Sequence, residues 1–182
     1  MRQRQQHVLA VIVENRSGVL SRVAGMFSRR GFNIDSINVG VTDDPRYSRM
    51  TIVVTGDSSE IEQITKQLHK LIDVIKVSDL TEDDMVEREL VLIKVSAGSE
   101  NRTEILQIVD IFRSRIIDVS ERSLVVEATG DSGKIDAMVN MLRPFGIKEM
   151  VRTGRVALAR GARATQVTGS GWAPDARRLQ VL

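Results

Sequence analysis

The sequence predicts an α+β fold of two βαββαβ modules, and three observations support this prediction. Apolar residues recur at strand and helical spacing in the order strand, helix, strand, strand, helix, strand, and this order occurs twice. The turn sequence Thr55-Gly56-Asp57-Ser58 recurs unchanged as Thr129-Gly130-Asp131-Ser132 at the same point of the second series. A chain of 182 residues could form one domain or two small ones, and the repeat favours two.

The first module begins with an uninterrupted apolar segment at residues 8–13, whose β-branched residues predict a strand buried on both faces or central in a sheet. From Val19 the apolar residues take helical spacing until Gly31, which ends the helix. Acceptor side chains at residues 55–59 predict the start of a second helix. The remaining strands of this module are predicted at residues 37–41, 50–54 and 74–77.

The second module repeats the pattern, with helices that begin near Asn101 and Ser132. Its strands are predicted at residues 90–95, 116–119, 124–128 and 147–151. The division of the chain is predicted as a first domain at 1–80, an acidic linker at 81–87, a second domain at 88–158 and a basic, flexible tail at 159–182.

This order of elements is typical of a ferredoxin-like fold, in which both helices cover one face of a four-stranded antiparallel sheet. The first strand is apolar at every position. The face of the first sheet without helices is therefore expected to be hydrophobic and to favour dimerisation.

Composition excludes several kinds of chemistry. The chain has no cysteine and two histidines, so disulfides, zinc thiolates and thiol catalysis are excluded, and no carboxylate cluster suggests a metal site. The formal net charge is +2, with the excess late in the chain, where Arg152, Arg155 and Arg160 could contact an acidic partner or lie in a solvated basic end. No signal sequence or membrane-spanning run is evident, so we expect a soluble, cytoplasmic protein.

The loop after the first strand has the composition of a small-ligand site. Gly18 permits close approach of the backbone, and the N–H groups of Gly18, Val19 and Leu20 open a helix whose N-terminal end attracts a carboxylate. Asn15 and Asn33 provide neutral amides, while Val19 and Ile34 would face an apolar side chain. These features describe a site for a free aliphatic amino acid. Asn, Ser and Gly are also ordinary turn residues, and a plain strand-to-helix turn explains the loop equally well.

A family resemblance separates these alternatives. The chain resembles the small regulatory subunits of acetolactate (acetohydroxyacid) synthase from about residue 8 to residue 161, and its first half resembles an ACT domain, a module that binds amino acids. The segments that carry the resemblance are Glu14-Asn15-x-x-Gly18-Val19-Leu20-Ser21-Arg22, Phe27-Ser28-x-Arg30-Gly31-Phe32-Asn33-Ile34-Asp35-Ser36, Thr42-Asp43-Asp44-Pro45, Ser48-Arg49-Met50-Thr51-Ile52, Gln67-Leu68-His69-Lys70-Leu71, Val86-Glu87-Arg88-Glu89 and Ile117-Asp118-Val119.

The resemblance implies a homodimer whose paired ACT domains bind valine, or a related branched-chain amino acid, at their interface. One chain would contribute Asn15, Gly18, Val19 and Leu20, and the other chain Asn33 and Ile34. It also implies that this chain is not catalytic. It would activate a separate catalytic large subunit and confer feedback inhibition on it. Thiamine diphosphate, Mg²⁺ and FAD are expected in that catalytic subunit, and no cofactor is expected in this chain.

Other functions fit the sequence less well. Ferredoxin-like sheets that bind RNA stack bases on aromatic side chains of the central strands, whereas the four Phe residues lie on helices or at their ends and Tyr47 lies in a loop. Asp43 and Asp44 could be a catalytic carboxylate pair, but beside Pro45 they are more simply a solvated hairpin loop. A transcription factor would need a helix-turn-helix, for which no segment outside the modules is long enough. A stand-alone amino-acid-sensing protein that regulates another enzyme or transcription remains the alternative.

Overall fold

The computed structural model describes residues 4–162 and 164–165. The strands are β1 Gln5–Glu14, β2 Ser36–Val41, β3 Tyr47–Gly56, β4 Val74–Asp79, β5 Met85–Ser96, β6 Arg115–Ser120, β7 Ser123–Gly130, β8 Ile147–Arg152 and β9 Val156–Ala159. The helices are α1 Val19–Arg29, α2 Ser58–Leu68, α3 Arg102–Ile111 and α4 Ser132–Leu142, and a single 3₁₀ turn follows at Arg143–Phe145.

The strands form two antiparallel sheets, each with a central pair and two edge strands. The first sheet has the order β2-β3-β1-β4 and the second the order β6-β7-β5-β8. Helices α1 and α2 pack on one face of the first sheet, and α3 and α4 on one face of the second. The predicted pair of ferredoxin-like βαββαβ modules is confirmed.

Alternation along the central strands explains each core. In β1, the side chains of Leu9, Val11 and Val13 point toward the helices and pack with Val23 and Phe27 of α1. In β5, alternate side chains likewise face α3 and α4 in a second core. Because successive strand side chains point to opposite faces, the intervening residues of each strand lie on the face without helices.

The repeated Thr-Gly-Asp-Ser sequence begins a helix in both modules, as predicted. Asp57 accepts hydrogen bonds from the backbone N–H groups of Ser59 and Glu60, at 2.8 and 2.9 Å, and the Glu60 carboxylate accepts one from the Asp57 N–H at 2.8 Å. Asp131 accepts from the N–H of Lys134 at 2.8 Å. The reciprocal capping box occurs at α2 alone of these two helices because the third helical residue of α4 is a lysine.

The structure contains a two-stranded ribbon that the sequence did not predict. Strand β5 begins at Met85, inside the segment predicted as linker, and residues 85–88 pair with the short strand β9. We call these paired segments the β5–β9 ribbon. The sequence pattern does not predict β9 because this strand has only four residues, too few to show a clear alternation of apolar and polar side chains.

The ribbon lies on the helix-free face of the first sheet. Ala157 of β9 is buried with Val8 and Ala10 of β1, Val53 of β3, and Leu80. The prediction of a bare hydrophobic face is therefore wrong at this position, because the same chain covers it. The small side chain at residue 157 allows the ribbon to approach the sheet closely.

The predicted tail, 159–182, begins with the last residue of β9, and most of it lies outside the described residues. Arg152 and Arg155, which precede this tail, and Arg160 within it each pair with carboxylates of the same chain. No helix among the described residues is long and apolar enough to cross a membrane.

Candidate functional site

Asn15 stands at the end of β1 and holds that end against the loop between β2 and β3. Its Nδ2 donates to the carbonyl of Pro45 at 2.9 Å, and its Oδ1 accepts from the Ser48 hydroxyl at 3.1 Å. Its backbone N–H donates to the carbonyl of Arg46 at 2.7 Å. The side chain is exposed, so a ligand could reach it, but both polar atoms of its amide already make hydrogen bonds within the loop region.

Gly18 sets the start of α1. Its φ of +81° lies in the left-handed region, and the helix has no side-chain cap at this position. A Cβ on Gly18 would lie 3.0 Å from Nη1 of Arg22. The first turn of α1 therefore presents backbone N–H groups at an uncapped, exposed helix N-terminus, where an anion is stabilised.

An ion pair that the sequence did not predict stabilises the loop between β1 and α1. Arg22 donates from Nε and Nη2 to the two carboxylate oxygens of Asp73, at 2.7 and 2.9 Å. These hydrogen bonds lower the pKa of Asp73, and the positive charge of Arg22 lowers it further. The Asp73 carbonyl also accepts from the N–H of Glu14 at 2.9 Å. Arg22 lies within the run that resembles the family, but Asp73 is 51 residues away, so only the fold brings them together.

The apolar candidates are placed differently from one another. Val19 is 3% exposed and packs in the core with Val23 and Phe27. Ile34 is half-buried and packs against the same core, whereas Leu20 is 46% exposed on α1. In this chain a ligand at the loop would therefore contact the Leu20 side chain, while the Val19 side chain faces inward.

Asn33 and Ile34 lie at the other end of the first sheet from Asn15. The Asp35 N–H donates to the carbonyl of Val53, a residue paired with Val8 near the start of β1. Glu14, the last residue of β1, is six residues farther along that strand, a distance of roughly 20 Å at the usual rise of 3.3 Å per residue. One chain alone therefore does not bring the six predicted residues together.

Asn33 is exposed, and its Nδ2 donates to the carboxylate of Asp35 at 3.1 Å. The other oxygen of that carboxylate accepts from the Thr55 hydroxyl at 2.6 Å. The side-chain carbonyl of Asn33 is thereby oriented as a hydrogen-bond acceptor next to the start of β2.

A groove of about 780 Å³ lies elsewhere, on the helix-free face between the first sheet and the β5–β9 ribbon. Arg49 of β3 spans it and donates from Nη2 to the carbonyl of Ala157 at 2.7 Å, and burial lowers the pKa of this guanidinium. None of the six predicted residues lines this groove. Among the described residues, no group of three His, Cys, Asp or Glu side chains could hold a metal ion.

Comparison with known proteins covers both modules. Residues 9–76 match the family model described as the AHAS small subunit-like ACT domain, and residues 88–161 match the model described as the small subunit of acetolactate synthase.

Individual relatives agree with the family models. The chain is 56% identical over 156 residues to a probable acetolactate synthase small subunit of Archaeoglobus fulgidus, an alignment that covers 86% of this chain and 98% of the relative. It is 54% identical over 157 residues to the acetolactate synthase small subunit of Mycobacterium leprae, covering 86% and 93% of the two chains.

A solved structure extends the likeness to three dimensions. The crystal structure of the acetolactate synthase small subunit from Thermotoga maritima has a TM-score of 0.78 and 46% sequence identity to this chain, and the match covers 86% of this chain and 98% of that one. Sequence and fold agree over both modules, and the chain belongs to the family of small, regulatory subunits of acetolactate synthase.

Proposed function

We propose that this chain, as a regulatory subunit in branched-chain amino acid biosynthesis, activates a separate catalytic large subunit in the cytoplasm and makes it sensitive to valine or a related amino acid. The observation that carries the proposal is the separation of the predicted residues. Asn15, Gly18 and Leu20 lie at one end of the first sheet, and Asn33 and Ile34 at the other. Two copies of the chain can unite these halves.

Strand β2 offers the edge at which two copies would meet. It pairs with β3 alone among the described strands, so its outer edge is available. On that edge Val39 is 45% exposed and Val41 is 60% exposed, which provides apolar area for an interface. Antiparallel pairing of β2 with its copy about a two-fold axis would set the start of one strand beside the end of the other.

This pairing brings the two halves of the site together. Val41, at the end of β2, is paired with Ser48, whose hydroxyl donates to Asn15. The start of β2 follows directly after Asn33 and Ile34. In the proposed homodimer, Asn33 and Ile34 of each chain therefore approach the Asn15 loop of its partner, and two equivalent sites form.

The chemistry of each half suits an amino acid. The carboxylate would bind at the N-terminus of α1, where the helix dipole contributes about 0.3–1 kcal/mol and hydrogen bonds from the backbone add more. The ammonium would donate to the side-chain carbonyl of Asn33, and the aliphatic side chain would lie against Leu20. Valine is small, so we expect an affinity in the micromolar to millimolar range after ordering costs, on the order of −4 to −8 kcal/mol.

Regulation follows from linkage between two binding events. If valine favours one arrangement of the paired ACT domains and the catalytic subunit favours another, each weakens the binding of the other by the same factor. A coupling of about 1–3 kcal/mol is enough for useful feedback. Thiamine diphosphate, Mg²⁺ and FAD belong to the catalytic subunit in this proposal.

Complementation between two defective chains tests whether the site is shared. Calorimetric titration of the purified protein with valine, leucine and isoleucine should give saturable heat with at least one of them, and Asn15→Ala and Asn33→Ala should each abolish it. Random subunit exchange between the two variants makes about half of the dimers mixed, and each mixed dimer contains one site of two with both asparagines. The mixture should therefore regain about one site in four. No recovery in mixed dimers verified by mass spectrometry would contradict a site shared between chains.

Activity separates the proposal from a stand-alone amino-acid sensor. Added to a catalytic acetolactate synthase subunit, the chain should raise the rate of acetolactate formation, and the effector found by calorimetry should reverse that gain. A chain that binds the amino acid but leaves the catalytic subunit unchanged in rate would favour the stand-alone alternative.

A further inference from the structure

The turn between β8 and β9 touches the first module at the start of β2. Gly154 in this turn has a φ of +79°, and a Cβ placed on it would lie 2.6 Å from Cβ and 2.8 Å from Oγ of Ser36. Such contacts do not occur between real side chains, so the second module approaches Ser36 as closely as a bare backbone allows. Ser36 is the first residue of β2 and the second residue after Ile34.

Hydrogen bonds hold the same turn to two strands of the first sheet. Asn38 of β2 donates from Nδ2 to the carbonyl of Arg155 at 3.0 Å. The guanidinium of Arg155 donates to the side-chain carbonyl of Gln6 in β1 and also pairs with Glu87 of β5, at 3.5 Å. The turn is therefore hydrogen-bonded to both the central strand β1 and the edge strand β2 of the first sheet.

The other side of the turn is anchored in the second module. The Thr153 N–H donates to the carbonyl of Leu90 at 3.0 Å, and the Thr153 hydroxyl accepts from the N–H of Leu90 at 3.1 Å. Residues 153–155 thus connect β5 directly to β2, and we call them the 153–155 turn.

We propose that the 153–155 turn is a positioning element for the effector site. It fixes the position of the start of β2, and therefore the positions of Asn33 and Ile34, which each chain contributes to the site of its partner. The inference rests on the proposed function and adds a route by which the second module senses the effector. Movement of Asn33 or Ile34 on binding displaces Ser36, and the close contact with Gly154 passes that displacement to β5.

The test is the valine affinity of Gly154→Ala, measured by calorimetry on the full-length chain, alone and in complex with its catalytic subunit. The new methyl group collides with Ser36 and must move the start of β2, so we expect affinity to fall by about fivefold or more, the lower end of typical coupling between sites.

Gly161→Ala is the matched control. Gly161 has a φ of +76°, close to that of Gly154, but a Cβ there meets nothing within 4 Å. The variant puts an alanine at a similar positive φ without the contact, so its valine affinity should equal that of the unmodified chain.

A second substitution removes the collision itself. Ser36→Gly deletes the two atoms nearest the added methyl group and leaves only the terminal Nδ2 of Asn38, at 3.2 Å, so Ser36→Gly with Gly154→Ala should restore most of the affinity of Ser36→Gly alone. Thermal unfolding of all four variants separates this effect from general destabilisation, since backbone strain at Gly154 persists in the double variant.

The outcomes distinguish the inference from the function on which it rests. Unchanged valine affinity in Gly154→Ala, or an equal loss in Gly161→Ala, would overturn the positioning role while leaving the effector site intact. A loss that Ser36→Gly fails to restore would also overturn it. Absence of binding of valine, leucine and isoleucine by the unmodified chain, alone and in complex, would overturn the proposed effector site and this inference together.

Discussion

Arg22 and Asp73 form a two-pronged ion pair that ties the first turn of α1 to the segment before β4. The guanidinium donates two hydrogen bonds, at 2.7 and 2.9 Å, to a carboxylate whose residue is only 5% exposed. The same guanidinium lies where a side chain on Gly18 would project. The pair thus fixes the loop that the proposed function assigns to the effector carboxylate.

The Arg22–Asp73 pair should make stability depend on acid pH. Arg22 holds the pKa of Asp73 below its usual value, which is about 3.9 in an unfolded chain. The pair therefore stabilises the fold fully above that unfolded value, and its contribution is lost as the pH falls through the lower folded pKa. Asp73→Asn should unfold at a lower temperature than the parent at pH 7, and the difference should shrink in strong acid.

Thermal unfolding measured from about pH 7 down to pH 2 checks this prediction. Glu62→Gln is the matched control, because Glu62 pairs with Lys66 across one helical turn and both side chains are about two-thirds exposed. Exposed pairs contribute little, so this variant should follow the parent. A profile for Asp73→Asn that parallels the parent at every pH would contradict the prediction.

Gly18→Ala should weaken effector binding beyond what its backbone strain explains. A left-handed alanine costs about 1–2 kcal/mol, and the new methyl group would press on Arg22 as well. Gly146→Ala in the second module also puts an alanine at positive φ, +89°, where its methyl group would meet Ser96 only at ordinary distances of 3.5 and 3.8 Å. Both variants should be destabilised in urea, whereas valine affinity should fall in Gly18→Ala alone. Equal affinities in the two variants would place the carboxylate elsewhere.

The two helix caps should differ in strength although their sequences are the same. Asp57 accepts two backbone hydrogen bonds within a capping box, and Asp131 accepts one. We expect Asp57→Ala to cost about 1–2 kcal/mol of unfolding free energy and Asp131→Ala about 0.5–1 kcal/mol. Urea denaturation of the two variants provides the comparison, and a larger cost at Asp131 would show that the reciprocal bond from Glu60 is unimportant.

Arg152→Ala should be among the more damaging substitutions in the second module. Glu89 is 4% exposed, and Arg152 pairs with it and with Asp136. Removing the cation leaves a buried carboxylate, which costs about 3–5 kcal/mol in a fully buried pair. Because Arg152 is about one-third exposed, we expect about 2–3 kcal/mol.

A second variant shows whether the buried charge is the cause. In Arg152→Ala with Glu89→Gln, the orphaned carboxylate is gone, so the unfolding free energy measured in urea should recover part of the loss. A double variant no more stable than Arg152→Ala would attribute the loss to packing by the arginine stem.

The sequence predicted the order and approximate bounds of the helices and of eight strands because these elements have long apolar patterns or clear caps. The repeated Thr-Gly-Asp-Ser sequence is a local signal that fixes two helix starts without tertiary contacts. Strand β9 has no such signal, since four residues with two alternations resemble any loop.

The candidate site illustrates a different limit. Periodicity placed Val19 on the apolar stripe of α1, but only the packing shows that its side chain belongs to the core and that Leu20 faces outward. The strand register places Asn15 and Asn33 at opposite ends of the strands of the first sheet, and composition does not encode this register. The ion pair from Arg22 to Asp73 depends on the fold in the same way, because its members are 51 residues apart.

The late position of β9 has a consequence for synthesis of the chain. The four strands of the first sheet are complete once Asp79 has left the ribosome, but Ala157, which covers Val8 and Ala10, emerges about 80 residues later. At 5–20 residues per second this leaves an apolar face uncovered for roughly 4–16 seconds. During that interval we expect the nascent chain to need a chaperone or an early-arriving partner subunit to escape aggregation.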